Sequence, residues 1–223
     1  MSSKQYSICV VGGTGAEGGG LALRWAKHGH HVIIASRDEA KAKIAAAGLN
    51  ASLGSRNVEG AESSKGARYA DIVVLAVPYQ AQIATVQRLT EALEGKILID
   101  VTVPLMPPKV SRVQLPETDS CVVAVQNLLG TGVRVVSAFQ NVSAHKLADP
   151  DYQIDCDVLV SADDKEARAI VIQLASDAGL RGIDIGPLAN SVVSESLTSA
   201  LIWINKLYKI PDAGIRITGL RQE

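Results

Sequence analysis

Six positions near the start of the chain could together hold a phosphorylated ligand. Gly13, Gly15 and Gly18 stand in the spacing G-x-G-x-x-G, and Ser36, Arg37 and Lys41 follow them. Glycines at that spacing suit three tasks. Gly13 would allow a tight turn, Gly15 would let the backbone approach a pyrophosphate, and Gly18 would let the next helix lie close on its sheet. Thr14, Ala16 and Glu17 fill the same turn. A helix opening there would offer unpaired N–H groups and a partial positive charge to phosphate oxygens. A glycine-rich turn with only a structural role is the alternative, and the spacing alone does not choose between them.

The flanking residues do choose. Residues 6–11 (YSICVV) form a short apolar, β-branched run that reads as a strand. A helical stretch then runs to Lys27, with Leu21, Leu23 and Trp25 among alanines and Gly29 placed to stop it. Residues 31–35 (HVIIA) read as a second strand. Strand, glycine turn, helix and strand within about 30 residues form a dinucleotide-binding pattern.

The end of the second strand selects the dinucleotide. An NAD site places Asp or Glu there, to accept from the ribose hydroxyls. Here Ser36 and Arg37 hold that place. A hydroxyl and a guanidinium would bind a 2′-phosphate that a carboxylate would repel. Lys41, one helical turn on, could add a second positive charge. The reading is NADP, with solvated surface charges as the alternative.

Groups for other chemistry are scarce. No G-x-S-x-G occurs, so nucleophilic catalysis finds no support. His30 and His31 would point to opposite sheet faces, which argues against a metal held by His28, His30 and His31. Asp100 is the carboxylate nearest the ligand edge. It is read as the cap of a loop, with acid–base duty as the alternative. No residue is assigned a catalytic role. Hydride transfer between NADP and a second ring cofactor needs little proton chemistry. It needs two planar rings face to face, with reacting carbons about 3–3.5 Å apart, and water kept out.

The elements that would position these residues alternate. A helix over 38–47 ends at Gly48, residues 50–65 read as loop with a short strand near 57–58, and residues 71–77 (DIVVLAV) form a buried strand ended by Pro78. A helix over 79–93 and a strand over 96–103 follow. Residues 105–115, with two prolines, are irregular and could cover the cofactor. Then come a helix over 120–129, a strand over 134–139, a short helix over 144–148, a strand over 156–161, a helix from 163 to 178 and a strand over 181–185. That order predicts an α/β, doubly wound, mainly parallel sheet of the Rossmann-like kind. Its ligand edge carries Val77 and Pro78, expected against the nicotinamide end, with Tyr79 and Ile83 on the next turn.

Residues 1–186 are read as the nucleotide-binding domain and 187–223 as a small C-terminal helical domain. The helix over 191–208 has more apolar residues than one stripe holds, Val192, Val193, Leu197, Leu201, Trp203 and Leu207 among them. It is expected to be buried against the sheet domain and against a second subunit. Ser194, Glu195, Ser196, Thr198 and Asn205 are read as helix-surface groups, with a substrate pocket as the alternative.

The chain of 223 residues has net charge −1 and an aromatic fraction of 4%, which suggests no nucleic-acid partner. Cys9, Cys121 and Cys156 are scattered in apolar surroundings, as buried thiols of a reducing cytoplasm would be. The first residues do not resemble a signal peptide, and no apolar run is long enough to predict a membrane span.

Four stretches carry a resemblance to a known family: GGTGAEGGGLALRWAKHGHHVIIASR (12–37), DIVVLAVP (71–78), VVSAF (135–139) and GPLANSVVSESLT (186–198). With them the chain resembles the NADPH-dependent reductases of the deazaflavin coenzyme F420. The resemblance implies a homodimer and reversible hydride transfer between F420 and NADP. It places NADP contacts on Thr14, Gly15, Ala16, Glu17, Ser36, Arg37, Lys41, Tyr79, Ile83, Leu105 and Ala144. Where better-known members carry His-Thr-Ile-Pro after the VSA strand, this chain has Gln140, Asn141, Val142 and Ser143. That segment lies near the deazaflavin in the family, so Gln140 and Asn141 are the expected substrate-binding residues. Two other readings share the nucleotide site: an NADPH-dependent flavin or ferric reductase, and a non-catalytic NADP-binding regulatory protein.

Overall fold

Six strands, β1 (Ser7–Val11), β2 (His31–Ser36), β3 (Val58–Glu62), β4 (Ile72–Leu75), β5 (Ile97–Asp100) and β6 (Arg134–Ser137), form one parallel sheet in the order β3-β2-β1-β4-β5-β6. The computed structural model describes residues 4–220. Side chains alternate across each strand and both faces are apolar. On β1, Ile8 and Val10 enter one core, and Cys9 and Val11 the other.

Helices α1 (Ala16–His28), α2 (Glu39–Leu53) and α7 (Lys165–Asp177) cover the first face; α3 (Ser63–Tyr69), α4 (Tyr79–Leu93) and α5 (Cys121–Leu129) cover the second. This is the doubly wound arrangement expected, and the strand order reverses between β1 and β4. Trp25 of α1, fully buried, donates Nε1–H to the Leu174 carbonyl of α7 at 2.8 Å and meets the Phe139 ring edge-on at 5.8 Å. Arg24, also buried, ties α1 to α6 (Ala144–Leu147) and the following loop by donating to the carbonyls of Leu147, Lys146, Asp149 and Tyr152.

Three stretches differ from the sequence-based expectation. Helix α2 passes through Gly48 and ends at Gly54, whose φ of 61° closes it. Gly48 stands in open space, and Asn50 stitches the next turn to Val58 through both its N–H and carbonyl, at 2.8 and 3.1 Å. Those contacts outweigh one helical glycine, worth about 1 kcal/mol. Residues 50–65 therefore hold the end of α2, the start of α3 and, between them, β3, which begins at the strand expected near 57–58 and runs on to Glu62. Strands β7 (Asp157–Val160) and β8 (Arg181–Asp184) form a separate parallel pair, joined to the main sheet by an antiparallel bridge from Ser137 to Ser161.

The last helix, α8 (Ser191–Tyr208), buries Leu201 as expected but also turns polar residues inward. Ser191, Ser194, Glu195 and Ser199 face inward and are buried, whereas Val193, Trp203, Leu207 and Tyr208 are exposed. Ser194 and Glu195 are thus not surface groups. Beyond it, the tail lies across β7. Asp157, fully buried, accepts from Arg181, from Arg216 at 3.0 Å and from the Ile217 N–H at 2.7 Å.

All three cysteines are free and buried. His30 is buried and His31 only half so, with Glu59 beside it at 3.2 Å. Among the described residues no helix is long and apolar enough to cross a membrane, and no group of His, Cys, Asp and Glu is placed to hold a metal.

Candidate functional site

The chain leaves β1 and β4 toward opposite faces, so a crevice opens where the two strands end. A cavity of about 540 Å³ fills it, within the range of small-molecule sites. Gly12, Thr14 and Gly15 form one wall, Ser36 and Arg37 a second, and Val77, Pro78 and Ala81 a third. Glu62, Ser63 and Ser64 from the β3–α3 junction, and Thr85 and Arg88 from α4, complete it.

The glycine turn is built one residue earlier than the motif suggests. Gly12 has φ +88°, and a Cβ there would lie 2.1 Å from the Ala76 carbonyl oxygen. Gly13, read as the turn residue, is instead buried against Val10. Gly18 does the packing expected of it, since a Cβ would meet the Gly12 oxygen at 2.8 Å. Gly15 begins α1 with ordinary φ (−85°), and its Cβ would touch only the Gly12 oxygen, at 3.3 Å. No side chain caps α1. By contrast Asp38 caps α2, Ser120 caps α5 and Asp164 caps α7. The start of α4 at Pro78 is also uncapped and also lines the cavity, but only α1 opens from the glycine turn, which lets an anion approach its free N–H groups.

At the end of β2, Ser36 is half-buried and Arg37 exposed, both on the cavity wall. Glu62, the register partner of Ser36, also lines it, but its carboxylate already accepts from the N–H groups of Ser64 and Lys65 at 2.9 and 3.2 Å. Lys41 stands outside the cavity lining, exposed, with Asp38 3.9 Å away. Tyr79, Ile83, Leu105 and Ala144 likewise fall outside that lining.

Three carboxylates gather near the ends of β1 and β5. Asp100 is fully buried; its Oδ1 accepts from the Thr102 N–H at 2.9 Å and its Oδ2 from Gln82 Nε2 at 2.7 Å. It caps the loop after β5, as expected. Burial pushes it up to about 6 against those hydrogen bonds, and Glu195 adds to the rise. Glu17 is partly buried and is pushed up to about 8, by burial first and by Asp100 second. Glu195 is raised by burial, against hydrogen bonds from Ser120, Cys121 and Val122.

Gln140 and Asn141 are buried, with their donors committed. Gln140 Nε2 gives hydrogen bonds to the Asp100 carbonyl and to Ser137 Oγ, at 2.8 and 2.9 Å. Asn141 Nδ2 gives one to the Asp157 carbonyl at 2.7 Å. Their side-chain oxygens, with Gln82 Oε1 and Thr102 Oγ1, are buried without a partner among the described residues. Sequence reasoning missed Gln82, Thr85, Arg88 and Thr102. The sequence signal for the α4 residues was their three- and four-residue spacing after Pro78, which places them on one helical face.

A reductase from Methanocaldococcus jannaschii named F420-dependent NADP reductase is 42% identical over 221 residues, spanning 96% of this chain and 98% of its own. This chain belongs to that family. The F420-dependent NADP reductase of Methanothermobacter marburgensis is also 42% identical, over 221 residues, 96% of this chain and 98% of that protein. The family described as "NADP oxidoreductase coenzyme F420-dependent" matches residues 7–104, the stretch that holds the glycine turn, Ser36 and Arg37. A crystal structure from Arthrobacter sp. FB24, described as a candidate F420-dependent NADP reductase, superposes with a TM-score of 0.79 at 29% identity, covering 96% of this chain and 99% of that one. Its coverage includes the α8 region, so the likeness of this F420-dependent NADP reductase family member extends beyond the nucleotide-binding half.

Proposed function

We propose that the chain is an oxidoreductase that transfers a hydride between NADP(H) and the deazaflavin coenzyme F420. The observation that carries this reading is the cavity at the β1–β4 reversal, which joins an uncapped helix end to Ser36 and Arg37 with no carboxylate at the end of β2. The cradle fits NADP: glycines line the approach of a pyrophosphate, and a hydroxyl and a guanidinium face the place of a 2′-phosphate.

The nicotinamide and the deazaflavin, when bound, supply the hydride donor and acceptor. The chain's part is positioning. Gly13, Thr14, Gly15, Ala16, Glu17 and Gly18 hold the pyrophosphate end, and Ser36, Arg37 and Lys41 the 2′-phosphate. Val77, Pro78, Tyr79, Ile83, Leu105 and Ala144 enclose the nicotinamide side and keep water out. Gln140 and Asn141 shape the side of the second redox partner. With their amide donors spent inside the protein, their free oxygens, with Thr102 Oγ1, are acceptors for that partner's N–H and O–H groups.

Residues 1–186 serve as the NADP-binding domain and 187–223 as a small C-terminal unit. The exposed Val193, Trp203, Leu207 and Tyr208 support a homodimer in which a second copy covers this face of α8. Three buried free thiols suit the cytoplasm.

Mixing the purified protein with NADPH and oxidised F420, and following deazaflavin absorbance, tests the reading. Loss of the oxidised deazaflavin band is expected. Turnover only with FMN or FAD would reassign the second partner, and NADPH binding without turnover would make the chain a nucleotide-responsive regulator.

A further inference from the structure

Helix α4 brings an exposed arginine, Arg88, to the lining of the nucleotide cavity. Along that helix Ala81, Thr85, Arg88 and Leu89 follow Pro78 at three- and four-residue steps and form one continuous wall of the cavity. Ala81 and Leu89 give it an apolar surface. Arg88 Nη2 donates to Thr85 Oγ1 at 3.2 Å, which fixes the guanidinium relative to that surface. Arg37, just past the end of β2, lines the same cavity, as does Glu62, whose carboxylate is taken up by the N–H groups of Ser64 and Lys65.

Apolar residues of α4 beside a planar cation suit a flat, electron-rich ring better than a phosphate, which needs converging donors. The 2′-phosphate also has its own hydroxyl and guanidinium at Ser36 and Arg37. We propose that Arg88, steadied by Thr85, recognises the adenine ring of the dinucleotide. It stacks on the purine or donates to its ring nitrogens, and so contributes to affinity without selecting between NADPH and NADH. The proposal rests on the cavity being the NADP site.

Calorimetric titration of Arg88→Ala separates this role from a phosphate contact. NADPH, NADH, 2′,5′-ADP and 5′-AMP all carry adenine, and all four are expected to bind roughly three- to thirtyfold more weakly, with the NADPH-to-NADH ratio unchanged. Reduced nicotinamide mononucleotide, which lacks adenine, should bind the variant and the wild type alike. Arg88→Lys, which keeps the charge and loses the plane, should recover little of the affinity. Thr85→Val should give a smaller loss of the same kind. Unchanged affinity for the four adenine ligands would overturn the proposal. So would a loss confined to NADPH and 2′,5′-ADP, since that would place Arg88 on the 2′-phosphate. Arg37→Ala in parallel reports on the underlying assignment: if it alters neither NADPH affinity nor selectivity, the cavity is not the NADP site, whatever Arg88 does.

Discussion

The carboxylate of Glu195, on the C-terminal helix, accepts the backbone N–H of Cys121 at 2.9 Å and so caps a helix of the main sheet domain. Ser120 adds its hydroxyl at 2.5 Å. Glu195→Ala would leave the Cys121 N–H buried and unmatched, while Ser120 could still donate to Ser191 Oγ at 2.6 Å, at a cost of about 1–3 kcal/mol. Urea denaturation should show that loss, and a smaller one for Glu195→Gln, which keeps an acceptor oxygen. Burial raises the folded carboxyl above its unfolded value, so its share of stability is present at low pH and lost as pH rises through the folded pKa. The Gln variant should therefore gain on the wild type as pH increases; a pH-independent difference would contradict the raised carboxyl.

Arg37→Asp should weaken NADPH by about 1.5–3 kcal/mol, the worth of a charge-assisted contact. NADH should lose much less, so selectivity narrows. Fluorescence titration of both nucleotides measures this, and an unaltered NADPH-to-NADH ratio would remove Arg37 from the 2′-phosphate.

Two glycines of one turn should respond in opposite ways. At Gly15 a Cβ would meet only the Gly12 oxygen, at 3.3 Å, and the backbone φ is ordinary, so Gly15→Val should lose little of its thermal midpoint and lose dinucleotide binding. At Gly18 a Cβ would press on the Gly12 oxygen and the Gly13 Cα at 2.8 and 3.0 Å, so Gly18→Val should lower the midpoint itself. Calorimetry with and without NADPH separates the two. Tight binding by Gly15→Val would mean the loop does not cradle the pyrophosphate.

His30 receives the Tyr6 N–H on Nδ1 at 3.2 Å and faces Asp177 through Nε2 at 2.9 Å. Both ring nitrogens are satisfied by the neutral form, and burial lowers its pKa. The unfolded chain then takes up a proton before the folded one does. Stability is fully present above the unfolded value of about 6.5 and falls as pH drops through the window down to the folded value. Denaturant midpoints at pH 5 and 7.5 should show that decline, and His30→Asn should flatten it. An equally steep decline in the variant would place the titrating group elsewhere.

Trp203→Glu with Leu207→Glu should turn a dimer into a monomer in sedimentation while leaving the NADPH cavity intact. Both side chains are more than half exposed in the single chain, at 56% and 59%. A wild type that sediments as a monomer would remove the proposed interface.

The first crossover was legible because its logic is local: strand, turn, helix cap and strand end lie within one stretch, and Ser36 and Arg37 arrive with it. Asp100 was legible as a cap because a carboxylate two residues before an N–H can reach it without tertiary help. The rest depended on contacts between distant residues. Gly48 reads as a stop, yet Asn50 finds β3 and the helix continues. Gly60 reads as a loop, yet a Cβ there would strike the Lys43 backbone nitrogen at 2.3 Å, so the glycine is what lets α2 lie on β3. Ser194 and Glu195 read as solvated because polar residues usually are. Glu195 is buried against the start of α5, whose free N–H groups supply its partners, and Ser194 donates to the Ser191 carbonyl one turn back. Thr85 and Arg88 reach the cavity only because β4 lies beside β1, a pairing no local pattern announces.

Asp157 ties residues 216 and 217 of the tail to the second sheet. A fully buried anion opens β7, and a share of its donors comes from residues 216 and 217. Shortening the protein behind residue 214 would therefore do more than trim a surface segment. It would strip a counter-ion and an amide from a charge that water does not reach, and the damage would be felt in the second sheet rather than at the terminus.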